Sequence, residues 1–275
     1  MCLILMKNEK TRSDFRARAR EERAPEALDE GLIEGRNALT EALKSGRTID
    51  KVYLAEGSTD HALTRLAALA KEAGAVIVPT DRRKLDQMSP TGAHQGVIAA
   101  VAAHAYASVE EILALAAERG EPPLLVVCDE LSDPHNLGAI LRTAECAGAH
   151  GVIIPKRRSV GLTAVVSKTS AGAVEYLPVA RVSNIVNTIR ELKEQGVWVY
   201  GTAADADSSL YRTDLTGPAA IVIGNEGEGM SRLVRESCDL LVSIPMKGSI
   251  SSLNASAAAA VMLYEALRQR QKEQL

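Results

Sequence analysis

Apolar and polar positions alternate in two separate stretches of this chain. In the first, Lys51-Val-Tyr-Leu-Ala55 reads as a strand, and Leu63, Leu66 and Leu69 then fall on one face of a helix over 60–73. Residues 76–78, closed by Pro79, and residues 95–102 read as two more strands. Residues 30–104 are therefore expected to form a small α/β unit. In the second stretch, strands are expected at Leu124–Cys128, 152–154, 197–200, 220–223 and 241–244. Helices are expected between and after them, at 137–147, 184–195, 230–237 and 253–272. Strands that read as continuous apolar runs, separated by helices, imply a parallel sheet covered on both faces. This second domain is expected over 122–275. Residues 105–121 read as a linker with a helix at Val109–Arg119, punctuated by Gly120 and Pro122-Pro123. Residues 1–29 are charged and aperiodic, and read as a flexible extension.

Composition narrows the class. The chain has 275 residues, 46% of them hydrophobic, enough for a sizeable core. No apolar run approaches the roughly 18 residues of a membrane span. The apolar Met1–Met6 stretch is too short for a signal-peptide core, so a cytoplasmic protein without membrane attachment is expected. Cys2, Cys128, Cys146 and Cys238 have no CxxC spacing, and the five histidines form no ligand pattern; buried thiols and no metal are expected. The net charge of −3 weighs against a nucleic-acid binder. Two basic clusters soften that objection: Lys7, Lys10, Arg12, Arg16, Arg18, Arg20 and Arg23, and Lys156-Arg157-Arg158.

Three polar, glycine- or serine-rich loops follow strands of the second domain, where ligands of open α/β sheets sit. The first runs from Asp129 to Gly138 and into a helix carrying Arg142; Asp133 or Asn136 could cap that helix. The planar fork of Arg142 suits a phosphate or carboxylate. The second, Gly224-Asn-Glu-Gly-Glu-Gly-Met-Ser231, lacks the Gly-Lys-Ser/Thr of a triphosphate cradle and is not a clean dinucleotide fingerprint. Its acids, Glu226 and Glu228, would repel a pyrophosphate but suit a sulfonium or a ribose hydroxyl. The third runs from Ile244 to Asn254 and opens a helix with an alanine-rich start. Singly, each loop also reads as an ordinary capped turn. All three in order, each at a strand end of one domain, are hard to reconcile with that reading.

Together the loops resemble the three motifs of the SpoU family of RNA ribose 2′-O-methyltransferases, within the SPOUT superfamily. The first is Asn136-Leu-Gly-Ala-Ile-Leu-Arg142-Thr143, the second Ile223–Gly229, and the third Ile244-Pro-Met246 through Ser251-Ser-Leu-Asn-Ala-Ser256. Gly35-Arg-Asn-Ala-Leu39 and His94-Gln-Gly-Val97 are similar to the substrate-binding domain of the subgroup that modifies a guanosine of the 23S rRNA P-loop. His150–Pro155 and Gly201–Ala203 also fit that subgroup. The resemblance covers about residues 30–270.

This resemblance implies a trefoil-knotted SPOUT catalytic domain behind a small ribosomal-protein-like RNA-binding domain, which periodicity cannot reveal because knots are nearly absent from proteins. It implies S-adenosylmethionine (AdoMet) as cofactor, lined by Gly224, Ile244 and Leu253, and a homodimer. The implied catalytic set is Arg142, Asn136, Glu226, Ser252 and Asn254, with Arg36, His94 and Gln95 as RNA contacts. Arginine is a poor literal base, so Arg142 is read as an electrostatic orienter, with Glu226 as the alternative proton acceptor. Other readings are a tRNA ribose methyltransferase, a non-catalytic ribosome-assembly protein, and a Rossmann oxidoreductase; the last is disfavoured by the missing fingerprint.

Overall fold

The computed structural model describes residues 31–57, 60–89, 91–225, 227–250 and 252–272. The expected extension at 1–29, and with it the first basic cluster, lies outside these residues.

The first sheet has four strands: β1 (Leu32–Glu34), β2 (Ile49–Ala55), β3 (Val76–Thr80) and β4 (Val97–Val101). Their order is β1-β4-β2-β3; β4 runs antiparallel to β1 and β2, while β2 and β3 are parallel. Helices α1 (Arg36–Lys44), α2 (His61–Glu72) and α3 (Arg82–Met88) connect them. Leu63 and Leu66 are buried as the helical spacing requires, but Leu69 is exposed. The leucine stripe drifts off the core face over two turns. Strand β3 does not stop at Pro79, which pairs with Leu54 in register. It is an edge strand, where a proline without an N–H is tolerated.

The expected linker is packed structure. Ser108 and Glu111 form a reciprocal capping box on α4 (Val109–Arg119), and Gly120 closes it with φ of 66°. Ile112 of this helix is fully buried with Leu125, Val127 and Ile153 of the second domain.

That domain carries β5 (Leu124–Cys128), α5 (Pro134–Cys146), β6 (Gly151–Pro155), α6 (Ala164–Thr169), β7 (Val179–Val182), α7 (Ile185–Glu194) and β8 (Trp198–Thr202). It continues with β9 (Ser208–Ser209), β10 (Ala219–Ile223), α8 (Arg232–Ser237), β11 (Leu240–Ser243) and α9 (Ala255–Lys272). The seven strands lie in the order β7-β6-β5-β10-β8-β11-β9, all pairings parallel. The apolar run of β5 is explained by its two faces. Leu124, Val126 and Cys128 pack with Leu137, Ile140, Leu141 and Met262, while Leu125 and Val127 pack with Ile189 and Leu192. Helix α5 starts three residues earlier than the apolar pattern suggests. Pro134 occupies its first turn and Asp133 Oδ1 accepts from His135 N at 2.9 Å, so Asp133 and not Asn136 is the cap. The expectation of buried thiols holds for Cys128, whose thiol burial pushes up to about 12, but not for Cys146, which is exposed at the end of α5. No helix of the described residues is long and apolar enough to cross a membrane.

One buried histidine ties these parts together. His150 Nδ1 accepts from Leu124 N at 3.0 Å, and Nε2 meets Glu121 Oε2 at 3.1 Å. Burial pulls its pKa down more than Glu121 raises it. A histidine depressed in the fold contributes stability above its ordinary value of about 6.5 and loses it as pH falls below. Thermal melts between pH 7.5 and 5.5 (roughly spanning that titration) should therefore show a falling Tm for the wild type. His150→Asn keeps an acceptor for Leu124 N but cannot titrate, so its Tm should fall less; parallel curves would contradict the assignment.

Candidate active site

The carboxyl ends of β10, β8 and β11 open into one cavity of about 370 Å³, within the range of small-molecule pockets. Gly224, Ile244, Ser252 and Leu253 all line it, so residues from the second and third loops meet as the sequence anticipated. Thr202, the last residue of β8, and Asp205, beyond it, close a third side.

The Gly224 loop is shaped by backbone. Asn225 N donates to Gly229 O at 2.9 Å and Gly229 N returns to Asn225 O at 3.0 Å. This closes a tight turn in which Gly229 has φ of 71°. A Cβ on Gly224 would overlap the backbone of Gly229 and Met230. The turn is anchored from the first loop: Asn225 Nδ2 donates to Glu130 O at 3.1 Å, and Ser231 N to Asp129 Oδ2 at 2.7 Å. Glu226 lies outside the described residues.

The third loop is tied to the first motif. Asn254 Nδ2 donates to Asn136 Oδ1 at 3.0 Å, across 118 positions of sequence. Asn254 Oδ1 accepts from Ser256 N at 2.9 Å, opening α9 as a cap. Asn136 is buried and acts here as a strut. Met246, Ile250 and Leu253 are exposed large apolar residues on this loop, and Met246 and Leu253 line the cavity.

Among the described residues, the charged side chains lining the cavity are Asp205, Glu228 and Arg235. Arg235 is occupied: its two terminal nitrogens donate to Asp205 at 3.0 and 2.9 Å. That hydrogen bond, above all, holds the Asp205 carboxyl below its usual range. With Arg235 neutralised by Asp205, Glu228 leaves the wall negative. A phosphate is disfavoured there, and an adenosyl group bearing a sulfonium fits the apolar floor of Ile223, Ile244, Leu253 and Ala258.

Arg142 is not brought into this cavity. It is exposed on α5, six residues and about 9 Å of helix rise beyond Asn136, on another face. Among the described residues it has no ion pair. Val165, Tyr176 and Tyr264 are exposed on elements that pack against α5 or directly after one.

The three expected RNA contacts cluster at the start of α1. Arg36 Nε donates to Gln95 O at 3.4 Å, and Gln95 is exposed. Arg36 also pairs with Asp60 at 2.6 Å. His94 is a correction. It is 3% exposed, with Nδ1 accepting from Gly96 N and Nε2 bound to Asp86, so both ring nitrogens are committed to the turn. Its ring builds the platform for Gln95 and is not presented to a ligand.

Sequence reasoning missed Asn225 as an anchor, although it stood inside the second motif. It also missed Asp129, whose carboxylate directly follows β5, a signal that strand-end position could have supplied. The Asp205–Arg235 pair, 30 residues apart, had no local signal.

The SpoU rRNA methylase family model matches residues 123–264, and a model for RNA 2′-O ribose methyltransferase substrate binding matches residues 32–107. The chain is 50% identical over 236 residues to YacO of Bacillus subtilis (strain 168), named for the TrmH family of tRNA/rRNA methyltransferases, covering 86% of this chain and 94% of YacO. It is 48% identical over 241 residues to the 23S rRNA (guanosine-2′-O-)-methyltransferase RlmB of Ralstonia nicotianae (strain ATCC BAA-1114 / GMI1000), covering 87% and 96%. Among solved structures it is similar to the SpoU methyltransferase AviRb from Streptomyces viridochromogenes in complex with AdoMet, with a TM-score of 0.57 and 28% identity over 88% and 90% of the two chains. First- and third-motif residues 118 positions apart that hydrogen-bond to each other, and two family models that between them match both domains, give one conclusion: the chain belongs to the SpoU rRNA methylase family.

Proposed function

We propose that this chain transfers the methyl group of AdoMet to the 2′-hydroxyl of a guanosine in 23S rRNA, as a cytoplasmic homodimer. The observation that carries the proposal is the cavity at the carboxyl edge, where residues of the second and third loops converge on a negative, partly apolar wall. The names of the RlmB relatives support the choice of nucleotide.

Bound AdoMet supplies an activated methyl on a sulfonium, so the chemistry left to the chain is placement and proton management. Gly224 brings backbone against the cofactor, and Ile244 and Leu253 exclude water from it. Ser252 stands at the rim for the ribose. Asn136, through Asn254, holds the third loop against α5. Arg142 would stay charged, orient the substrate phosphate and stabilise the negative charge that builds on the 2′-oxygen as its proton leaves to solvent water and the oxygen takes up the methyl group. Glu226 is the alternative group to accept the hydroxyl proton.

Because one chain leaves Arg142 outside its own cavity, the guanidinium meets the ribose where RNA covers α5, or where a second copy brings its own α5 to the cavity. The exposed Val165, Tyr176 and Tyr264 around α5 support the second arrangement. The insertion of β11 between β8 and β9, followed by return of the chain to Asn136, supports a trefoil knot. Arg36 and Gln95 are the proposed RNA contacts of the first domain. Transfer of radiolabel from methyl-labelled AdoMet to a 23S rRNA transcript, and not to tRNA, tests the reading.

A further inference from the structure

The seam between the two domains is held by a buried cluster. Arg181 of β7 pairs with Asp50 of β2, both side chains 5% exposed. Tyr106 donates to Asp50 at 3.1 Å and lies under the Arg181 guanidinium, 5.3 Å from ring centroid to carbon. Removing either charged partner would leave the other buried and unpaired, so the domains are fixed against each other.

That rigid seam has a basic cleft beside it. Lys71, at the end of α2, faces Lys156, Arg157 and Ser183, which follow β6 and β7, across a space of about 620 Å³. Lys156 Nζ lies against Gly74 of the other domain. Among the described residues no acid lines the cleft, and none of these three cations has an ion-pair partner. Three like charges from two domains, held together without a counter-charge, are arranged for a polyanion. A second recess lies between this cleft and the cofactor cavity, lined by Lys51, Arg158 and Asn225. Arg158 there is 78% exposed and bound to Glu130 at 2.9 Å. Asn225 borders both this recess and the cofactor cavity.

Cleft, recess and cavity all sit at the carboxyl ends of one parallel sheet. Strands β6 and β7 lie two and three positions from β10 in the strand order. At about 4.8 Å per strand, the cleft is roughly 10–14 Å along the edge from Gly224. A stacked strand advances about 3.4 Å per nucleotide, so this is a reach of about three to four nucleotides. Among the large exposed apolar residues none belongs to the cleft, so nothing there is built to stack a base.

We propose that the domain seam is a phosphate track, in which Lys71, Lys156 and Arg157 grip the RNA backbone three to four nucleotides from the methylated ribose. The inference rests on the RNA methylation reading above. It gives the Lys156-Arg157-Arg158 cluster a role, and it explains how a chain of net charge −3 can hold a polyanion. The grip is indifferent to sequence, and it sets the distance between the RNA seized by the first domain and the ribose presented to the cavity.

The test is filter binding of a labelled 23S rRNA transcript across a salt series, with wild type, the single variants Lys71→Gln, Lys156→Gln and Arg157→Gln, and the triple variant. Each lost phosphate contact should weaken binding about fourfold at about 0.15 M salt, and the triple variant about fifty-fold. The slope of log affinity against log salt should shrink by about two for the triple variant. AdoMet affinity by calorimetry should stay at the wild-type value, which also reports folding. A triple variant that keeps the wild-type slope and affinity for RNA would overturn the track alone. A wild-type chain that binds AdoMet but neither binds nor methylates RNA would overturn the functional reading, and the track with it.

Discussion

Replacing Arg142 with alanine is expected to lower kcat for RNA methylation by about 10²–10³-fold, the usual loss when a preorganised donor to developing charge is removed. The same variant should bind AdoMet with wild-type affinity, because Arg142 is exposed on α5 and does not line the cofactor cavity. Stability should change little, since among the described residues the side chain has no ion pair to lose. Arg142→Lys separates two explanations. Lysine keeps the charge but lacks the planar fork that donates two parallel hydrogen bonds. Substantial rescue by lysine would mean that charge alone suffices; no rescue would mean that the fork orients the substrate. Wild-type kcat in the alanine variant, measured at saturating AdoMet and RNA, would remove Arg142 from the mechanism and turn attention to Glu226.

Gly224→Ala is expected to weaken AdoMet binding by about a hundredfold. The added Cβ would meet backbone atoms of Gly229 and Met230, not the far end of a flexible side chain. Relief requires opening the turn closed by the two Asn225–Gly229 hydrogen bonds, and with it one wall of the cavity. Overpacking of this kind costs about 1–3 kcal/mol, and the immovable backbone puts this case near the upper figure, about two powers of ten in Kd. Calorimetry of cofactor binding reads it directly. Gly227→Ala is the control: a Cβ there meets no backbone and only Asn225 Oδ1 at 3.6 Å, so its affinity should stay near wild type. Equal losses in both variants would show that loop flexibility, not the close approach at Gly224, governs binding.

The parallel sheet was legible because its central strands are buried on both faces and must read as unbroken apolar runs. Strand β7 was not, because Val179-Ala-Arg-Val182 is four residues long and spends one of them on Arg181, whose partner Asp50 lies 131 positions away. Helices α1, α3 and α6 were missed for a related reason: each is short, and α3 buries only Leu85, too few apolar positions to establish a period. The linker at 105–121 showed its helix but not its packing, since Ile112 finds its place only against Gly151 and the far strands.

At the site, the candidate residues came from the resemblance of the three loops to the family motifs, and their placement was not legible in the sequence. Gly224, Ile244, Ser252 and Leu253 meet because β10 and β11 end on the same edge, which parallel topology guarantees. The Asn136–Asn254 contact depends on how the last loop returns to α5, and nothing in hydrophobic period encodes that path. His94 was expected at the RNA because the resemblance of His94-Gln-Gly-Val97 to the substrate-binding domain implied it. Its burial follows from Asp86 and Gly96, which only the folded turn brings to its two nitrogens.

The most direct measurement is the identity of the methylated nucleoside. A 23S rRNA transcript incubated with the full chain and methyl-labelled AdoMet, then digested to nucleosides and chromatographed, should place the label in 2′-O-methylguanosine. Label in a base-methylated nucleoside, or none in a preparation that binds AdoMet, would contradict ribose methylation by this site.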